Sequence, residues 1–336
     1  MKHFFFSISL AFIFLSCNTT KEATAEKSVL NYANTITLNE LKTNLYTFAA
    51  DDFAGRETGE KGQKLAAEFL KKQYQNYGIK SPIAKDDYFQ EIPTSFLPES
   101  VKSSENVIAY IEGTTKPNEI VVISAHYDHL GTNADVIFNG ADDDGSGTVA
   151  VLEIAQAFKK AKNEGNGPKR SLLFLHLTAE EKGLYGSKYY VKNPLFPIKN
   201  HVANLNIDMI GRIDDAHIGK NNYIYLIGSN KLSTELHNLS EQVNTEFINL
   251  YLDYKYNDEN DPNRFYYRSD HYNFAKNNIP IIFYFNGVHK DYHKATDTAE
   301  KINYELLTKR TKLVFHTAWE IANRENRITV DKNQLK

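Results

Sequence analysis

"IVVISAHYDHLG" (residues 120–131) starts as an apolar, largely β-branched run and ends in two histidines and an aspartate. An apolar run of that length, with no polar alternation, reads as a strand buried on both faces. Its polar residues fall where the strand stops. Three other stretches repeat the arrangement. "SLLFLHLTAEE" (171–181) runs into Glu180 and Glu181, and "ANLNID" (203–208) runs into Asp208. "IIFYFNGVHKDYH" (281–293) reaches His293 after a short loop. "NVIAYIEG" (106–113) and "YIYLIG" (223–228) are further β-rich runs.

Helical patterns lie between these runs. "GQKLAAEFLKKQYQNYG" (62–78) places apolar residues at helical spacing and stops at Gly78. Others fall near 146–161, 184–192, 231–247, 269–277 and 303–325. Strands alternating with helices indicate an α/β fold with a mostly parallel or mixed central sheet flanked by helices. Residues 248–268, aromatic and polar without a clean period, read as a long loop. In open α/β sheets, ligand sites form outside the carboxyl ends of the strands. Several acids and histidines converging on that edge therefore mark a candidate site.

"NGADDDGSG" (139–147) adds three adjacent aspartates, Asp142, Asp143 and Asp144, between one of these strands and its following helix. A solvated turn or helix cap is the plain reading of such a cluster. Together with histidines at the same edge, a cation is the stronger one. Imidazole and carboxylate are zinc donors, and divalent charge offsets carboxylates that would otherwise be costly to gather. The stretch lacks the alternating aspartates of a calcium loop. Asp128, two residues after His126, shares its side of an extended chain and can accept the histidine's second N–H. His129 reads as a structural histidine and His176 as core.

The chain has 336 residues, 41% hydrophobic and 24% charged, with a formal net charge of -3. That size suits one large α/β domain, and the charge leaves no basic footprint for nucleic acid. "MKHFFFSISLAFIFLSC" has the layout of a secretory signal, too short for a stable transmembrane helix. Its cysteine, the only one in the chain, sits where a bacterial lipoprotein would be cut and lipidated. The expectation is a signal at 1–16, a lipid anchor at Cys17 with a tether to 36, one catalytic domain over 37–326 and a polar tail from 327. The mature protein would then be exported, membrane-anchored, and free of disulfides.

The segments "HYDHLG" (126–131), "GADDDGSG" (140–147), "TAEEKGLYGS" (178–187), "NIDMIGR" (206–212), "SDH" (269–271) and "DYHKATDT" (291–298) resemble the co-catalytic di-zinc exopeptidases. This is family 28 of the metallopeptidases, which includes bacterial leucyl aminopeptidases. The resemblance implies a zinc-dependent exopeptidase fold of the phosphorylase/hydrolase-like kind and two zinc ions. His126 and Asp208 would serve one ion, Glu181 and His293 the other, and Asp143 would bridge them, with a cis peptide bond often following it. Glu180 is implied as general base to a metal-activated water; Tyr292, just before a ligand, reads equally as a donor to the oxyanion or as core packing. Asp270 and His271 match the family's "SDH" without a derivable role. The implied activity is release of N-terminal residues from peptide substrates. A glutaminyl cyclase-like single-zinc acyltransferase and a carboxypeptidase on the same scaffold are the alternatives, the latter needing a cation such as Arg212, Arg264 or Arg268.

Overall fold

The computed structural model describes Met1 and residues 29–332. The signal stretch, Cys17 and most of the tether lie outside the described residues.

The apolar runs become the core of one mixed eight-stranded sheet. Its strands are β1 (Phe89–Ile92), β2 (Ser104–Ile111), β3 (Lys116–His126), β6 (Arg170–Leu177), β7 (His201–Ile207), β8 (Tyr223–Ile227), β9 (Tyr251–Asp253) and β10 (Ile281–Phe285). They lie in the order β1-β2-β6-β3-β7-β10-β8-β9. A small separate hairpin, β4 (Gly131–Asn133) and β5 (Val136–Phe138), follows β3.

The central strands β6, β3, β7 and β10 are mutually parallel, whereas β2 and β8 run antiparallel beside them. Parallel pairing brings the carboxyl ends of those four strands to one edge. His126 ends β3, Glu180 and Glu181 follow β6, Asp208 follows β7, and His293 lies beyond β10.

The unbroken apolar runs follow from cover on both faces. Val121 and Ile123 join one buried cluster with Leu172, Phe174 and Leu205. Ile120 and Val122 join the other with Leu173, Leu175 and Phe283. Alternate residues thus leave opposite faces of each strand, and helices meet both. Helices α1 (Leu38–Phe48), α2 (Lys61–Tyr77), α3 (Gly147–Asn163), α5 (Thr234–Val243) and α7 (Tyr304–Asn323) cover the first face. The second is covered by α4 (Tyr185–Lys192) and α6 (His271–Ala275). Each fully buried Leu, Ile or Phe contributes about 1.5–3 kcal/mol.

Most expected elements are present within a few residues. Helix α2 stops at Gly78, whose left-handed φ of 67° ends it as the glycine signal implies. The stretch read as loop over 248–268 instead holds β9 and two single-turn helices, Lys255–Asn257 and Phe265–Tyr267. Helix α1, with Leu41, Leu45 and Phe48 buried, was not among the expected helices. Beyond α7, Ile328 is buried and Arg327 donates to the carbonyl of Lys199 at 2.9 Å.

One core acid makes stability depend on pH. Glu153 of α3 is 1% exposed; its Oε1 accepts from Asn44 Nδ2 at 2.9 Å, while Oε2 has no partner among the described residues. Burial raises its carboxyl to about 8. Because the folded value lies above the unfolded one, folding favours the protonated acid. That stability is intact below about pH 4.5 and is lost as pH rises toward 8. Glu153→Gln keeps the acceptor without the charge. It is expected to raise unfolding free energy by about 1–3 kcal/mol near pH 8 and to change little near pH 4.5. Urea melts at the two pH values check this; an equal gain at both would contradict it.

Candidate metal centre at the carboxyl edge of the sheet

The three aspartates of 139–147 divide their work. Asp142 Oδ1 accepts from Gly211 N at 2.6 Å, and its Oδ2 lies 3.1 Å from His289 Nε2. Asp144 Oδ1 accepts from Gly147 N at 2.9 Å, capping the start of α3, and from Met209 N at 3.0 Å. Gly147 must be glycine here, since a Cβ would lie 2.4 Å from that same Asp144 oxygen. Asp297 Oδ2 accepts from the main-chain N–H of Asp142 at 2.9 Å and of Asp143 at 3.2 Å. The turn is thereby pinned on both sides, with a cis peptide bond between Asp143 and Asp144.

Pinned in this way, Asp143 faces histidines with both oxygens. Oδ1 is 3.2 Å from His126 Nε2, and Oδ2 is 3.0 Å from His293 Nε2. His126 Nε2 is also 3.6 Å from Asp208 Oδ1, and His293 Nε2 is 3.3 Å from Glu181 Oε1. All five side chains named from the sequence therefore meet. They fall into two groups that share Asp143. Donor atoms bound to one zinc at about 2.0–2.1 Å sit a little over 3 Å apart in a tetrahedral arrangement, and these separations match. Asp143 Oδ2 and Asp144 Oδ2 are buried and receive no hydrogen bond from the described residues. A buried imidazole and a partly exposed one, facing carboxylates with unanswered oxygens, suit zinc.

Electrostatics separate neighbouring acids. Burial pushes Asp143 upward, but His126 and His293 at its two oxygens hold it well below the usual carboxylate range. Burial, with less set against it, holds Asp144 well above that range. Glu180 is also held well above it, by burial first and then by Glu181, Asp208 and Asp270, against the pull of His126.

A small, partly open cavity meets this centre, lined by Glu180, Tyr292, Arg268 and an apolar wall of Met209, Phe265, Phe283, Phe285 and Val288. Glu180 faces it, whereas Glu181 turns toward the histidines. Ala179, just before them, has a left-handed φ of 52°, which re-aims the chain between strand and glutamates. Met209 (φ 60°) and His293 (φ 55°) are similarly placed at the other ligand-bearing loops.

The profile of Peptidase family M28 matches residues 106–318. The chain belongs to peptidase family M28. Leupeptin-inactivating enzyme 1 of Streptomyces exfoliatus is 32% identical over 170 residues, 50% of this chain and 34% of that protein. Aminopeptidase YwaD of Bacillus subtilis is 26% identical over 255 residues, 70% of this chain and 48% of that protein. The chain therefore spans between a third and a half of the length of these two relatives. The crystal structure of the Legionella pneumophila LapA aminopeptidase superposes with a TM-score of 0.69 at 21% identity, covering 90% of this chain and 76% of that one.

Within this M28 chain some roles differ from the sequence reading. His126 Nδ1 donates to the main-chain carbonyl of Asp128 at 3.0 Å, while the Asp128 carboxylate is 3.8 Å away. That carboxylate accepts instead from Thr58 Oγ1 at 2.7 Å and from Glu180 N at 3.1 Å. Asp128 thus fixes the backbone of Glu180 and reaches His126 through its carbonyl. The reason is local: β3 ends at His126, and Thr58 and the Glu180 N–H draw the Asp128 carboxylate away from the ring. His129, expected to be a satisfied structural histidine, lies 3.0 Å from Glu181 Oε1, and its Nε2 has no partner among the described residues.

Tyr292 stacks on His293, its ring centroid 3.9 Å away, with its hydroxyl 3.4 Å from Arg268. Asp270 accepts from Ser187 Oγ, its other oxygen has no partner among the described residues, and burial raises its pKa to about 7. His271 donates from Nε2 to the Tyr266 carbonyl at 2.8 Å, and burial lowers its pKa to about 3, so it is neutral core. His176 is likewise core, 2.7 Å from Tyr74 Oη.

Arg56 is the functional residue that sequence reasoning missed. Fully buried, it donates to the carbonyls of Tyr127 (2.9 Å), Phe48 (3.2 Å), Asn139 (2.6 Å) and Gly140 (2.9 Å). It joins the loop after β3 to the loop before the three aspartates. A lone arginine after Gly55 carries no local signal of this.

Proposed function

We propose that the chain is an aminopeptidase that uses two zinc ions, held by His126 and Asp208 on one side, Glu181 and His293 on the other, with Asp143 shared. The observation that carries the reading is Asp143, buried between two histidines with one oxygen toward each. Zinc in such a site supplies Lewis acidity toward a carbonyl and lowers the pKa of a bound water toward about 7. The chain's own residues do the rest. Glu180, facing the cavity, accepts the proton of the attacking water and passes it to the leaving amine. Asp128 holds the Glu180 backbone in place for that transfer. Tyr292 can donate its hydroxyl to the oxyanion of the tetrahedral intermediate. The apolar wall suits an uncharged N-terminal side chain.

Arg268 is the cation that lines the cavity, so carboxypeptidase action is the reading to test beside this one. Arg212 is engaged by Asp291 at 2.8 Å, and Arg264 stacks over Tyr267 at 4.8 Å. Export through a cleaved signal and anchoring by lipid at Cys17 complete the proposal, with a single catalytic domain over 37–326.

Zinc content measured beside a panel of aminoacyl-anilides and end-blocked peptides tests it. The expected result is close to two zinc ions per chain, hydrolysis of substrates with a free amine, and loss of turnover after chelation that zinc restores. Full activity in metal-free protein would reject the reading. Cleavage that survives amine blocking but not carboxylate blocking would favour the carboxypeptidase.

A further inference from the structure

His129 is wholly buried and stands outside the five residues assigned to the metals. Its Nδ1 is 3.0 Å from Glu181 Oε1 in hydrogen-bonding geometry and 3.8 Å from Asp143 Oδ2, too far for a second bond. Its Nε2 has no partner among the described residues. A proton on Nδ1 makes the contact with Glu181 attractive. A bare Nδ1 would set its lone pair against a carboxylate oxygen and leave a buried N–H at Nε2 without an acceptor. Both facts select the tautomer with the proton on Nδ1, and that nitrogen then has no lone pair for a metal.

The ring is held firmly enough to aim that proton. A Cβ on Gly140 would lie 2.4 Å from His129 Cδ2, so the imidazole packs directly on glycine backbone. The His129 N–H donates to the carbonyl of Arg56 at 3.1 Å, and the Arg56 guanidinium grips Gly140 and Tyr127. Glu181, by contrast, follows a turn of unusual φ and has few constraints of its own.

We propose that His129 is a positioning residue for the second metal position, its Nδ1–H holding Glu181 Oε1 so that the carboxylate presents itself to an ion shared with Asp143 and His293. The inference rests on the ligand set proposed above. Partners that hydrogen-bond a ligating carboxylate typically govern metal affinity by 10–100-fold. His126 and Asp208 lie on the far side of Asp143, so the effect falls on one ion of the two.

The test is stepwise zinc affinity, by competition with a chromophoric chelator, together with zinc X-ray absorption, on the full chain carrying His129→Ala or His129→Gln. The Ala variant is expected to weaken one zinc by about 10–100-fold and leave the other within about twofold. The Gln variant, whose amide can donate to Glu181, is expected to recover most of the loss. The imidazole count per zinc should be the same in all three proteins. Unchanged affinities in the Ala variant would overturn the proposal, as would a fall in its imidazole count, which would make His129 itself a ligand. Should the Ala variant not fold, the wild-type spectrum decides: two imidazoles over two zinc ions support positioning, three contradict it. A wild-type chain that binds no zinc overturns the inference and the ligand reading together, an outcome distinct from the others.

Discussion

Glu180→Gln is expected to keep both zinc ions and lose about 10²-fold or more of kcat. The substitution preserves shape. The main-chain N–H at 180 still donates to Asp128, and the side chain still faces the cavity beside His126 and Asp208. What disappears is a group able to take a proton from water and hand it to an amine. Glu181, the adjacent carboxylate, cannot substitute, because its oxygen is committed to His129 and His293. Elemental analysis and steady-state kinetics on one preparation check the two halves of the claim. Near-normal turnover rejects the proton-transfer role, and loss of zinc would move Glu180 into the ligand set.

Asp143→Ala is expected to have the larger effect, on metal content as well as on rate. Asp143 is the residue common to both donor groups. Its removal takes an oxygen from each proposed ion and leaves His126 and His293 without the carboxylate between them. Zinc affinity should fall by more than the roughly 100-fold ceiling typical of residues that only support ligands. Activity should fall with it. Equilibrium dialysis followed by elemental analysis measures this; full retention of zinc would reject the shared role. Asp143→Asn is the useful companion, since it keeps the volume and hydrogen-bonding reach while removing the charge.

Both predictions rest on residues visible in the sequence, and the reason they are visible is instructive. β3, β6, β7 and β10 are buried on both faces, so they read as largely apolar runs, and the acids and histidines that follow mark their ends. When such strands are parallel, those ends share one edge. His126, Glu180, Glu181 and Asp208 are therefore legible from local pattern, and His293 from its nearness to β10. Helix α1 was passed over because its buried residues, Leu41, Leu45 and Phe48, are diluted by Asn, Lys and Thr. β9 was passed over because three residues carry too little pattern to stand out among aromatics.

The site's supporting contacts were less legible. The target of His129 lies 52 residues away, and that of Thr58 lies 70. Arg56 binds carbonyls, which every residue has, so no partner residue type could have marked it.

By itself, the sequence determined where the strands end and which acids and histidines follow them, and its motifs carried the resemblance to the family. Only the tertiary structure decided what Asp142 and Asp144 are bound to, that Asp128 serves Glu180 with its carboxylate and His126 with its carbonyl, and that His129 reaches Glu181. The physical reason is that periodicity and burial are written into neighbouring residues. The aim of a side chain leaving a loop is set instead by contacts with segments far along the chain.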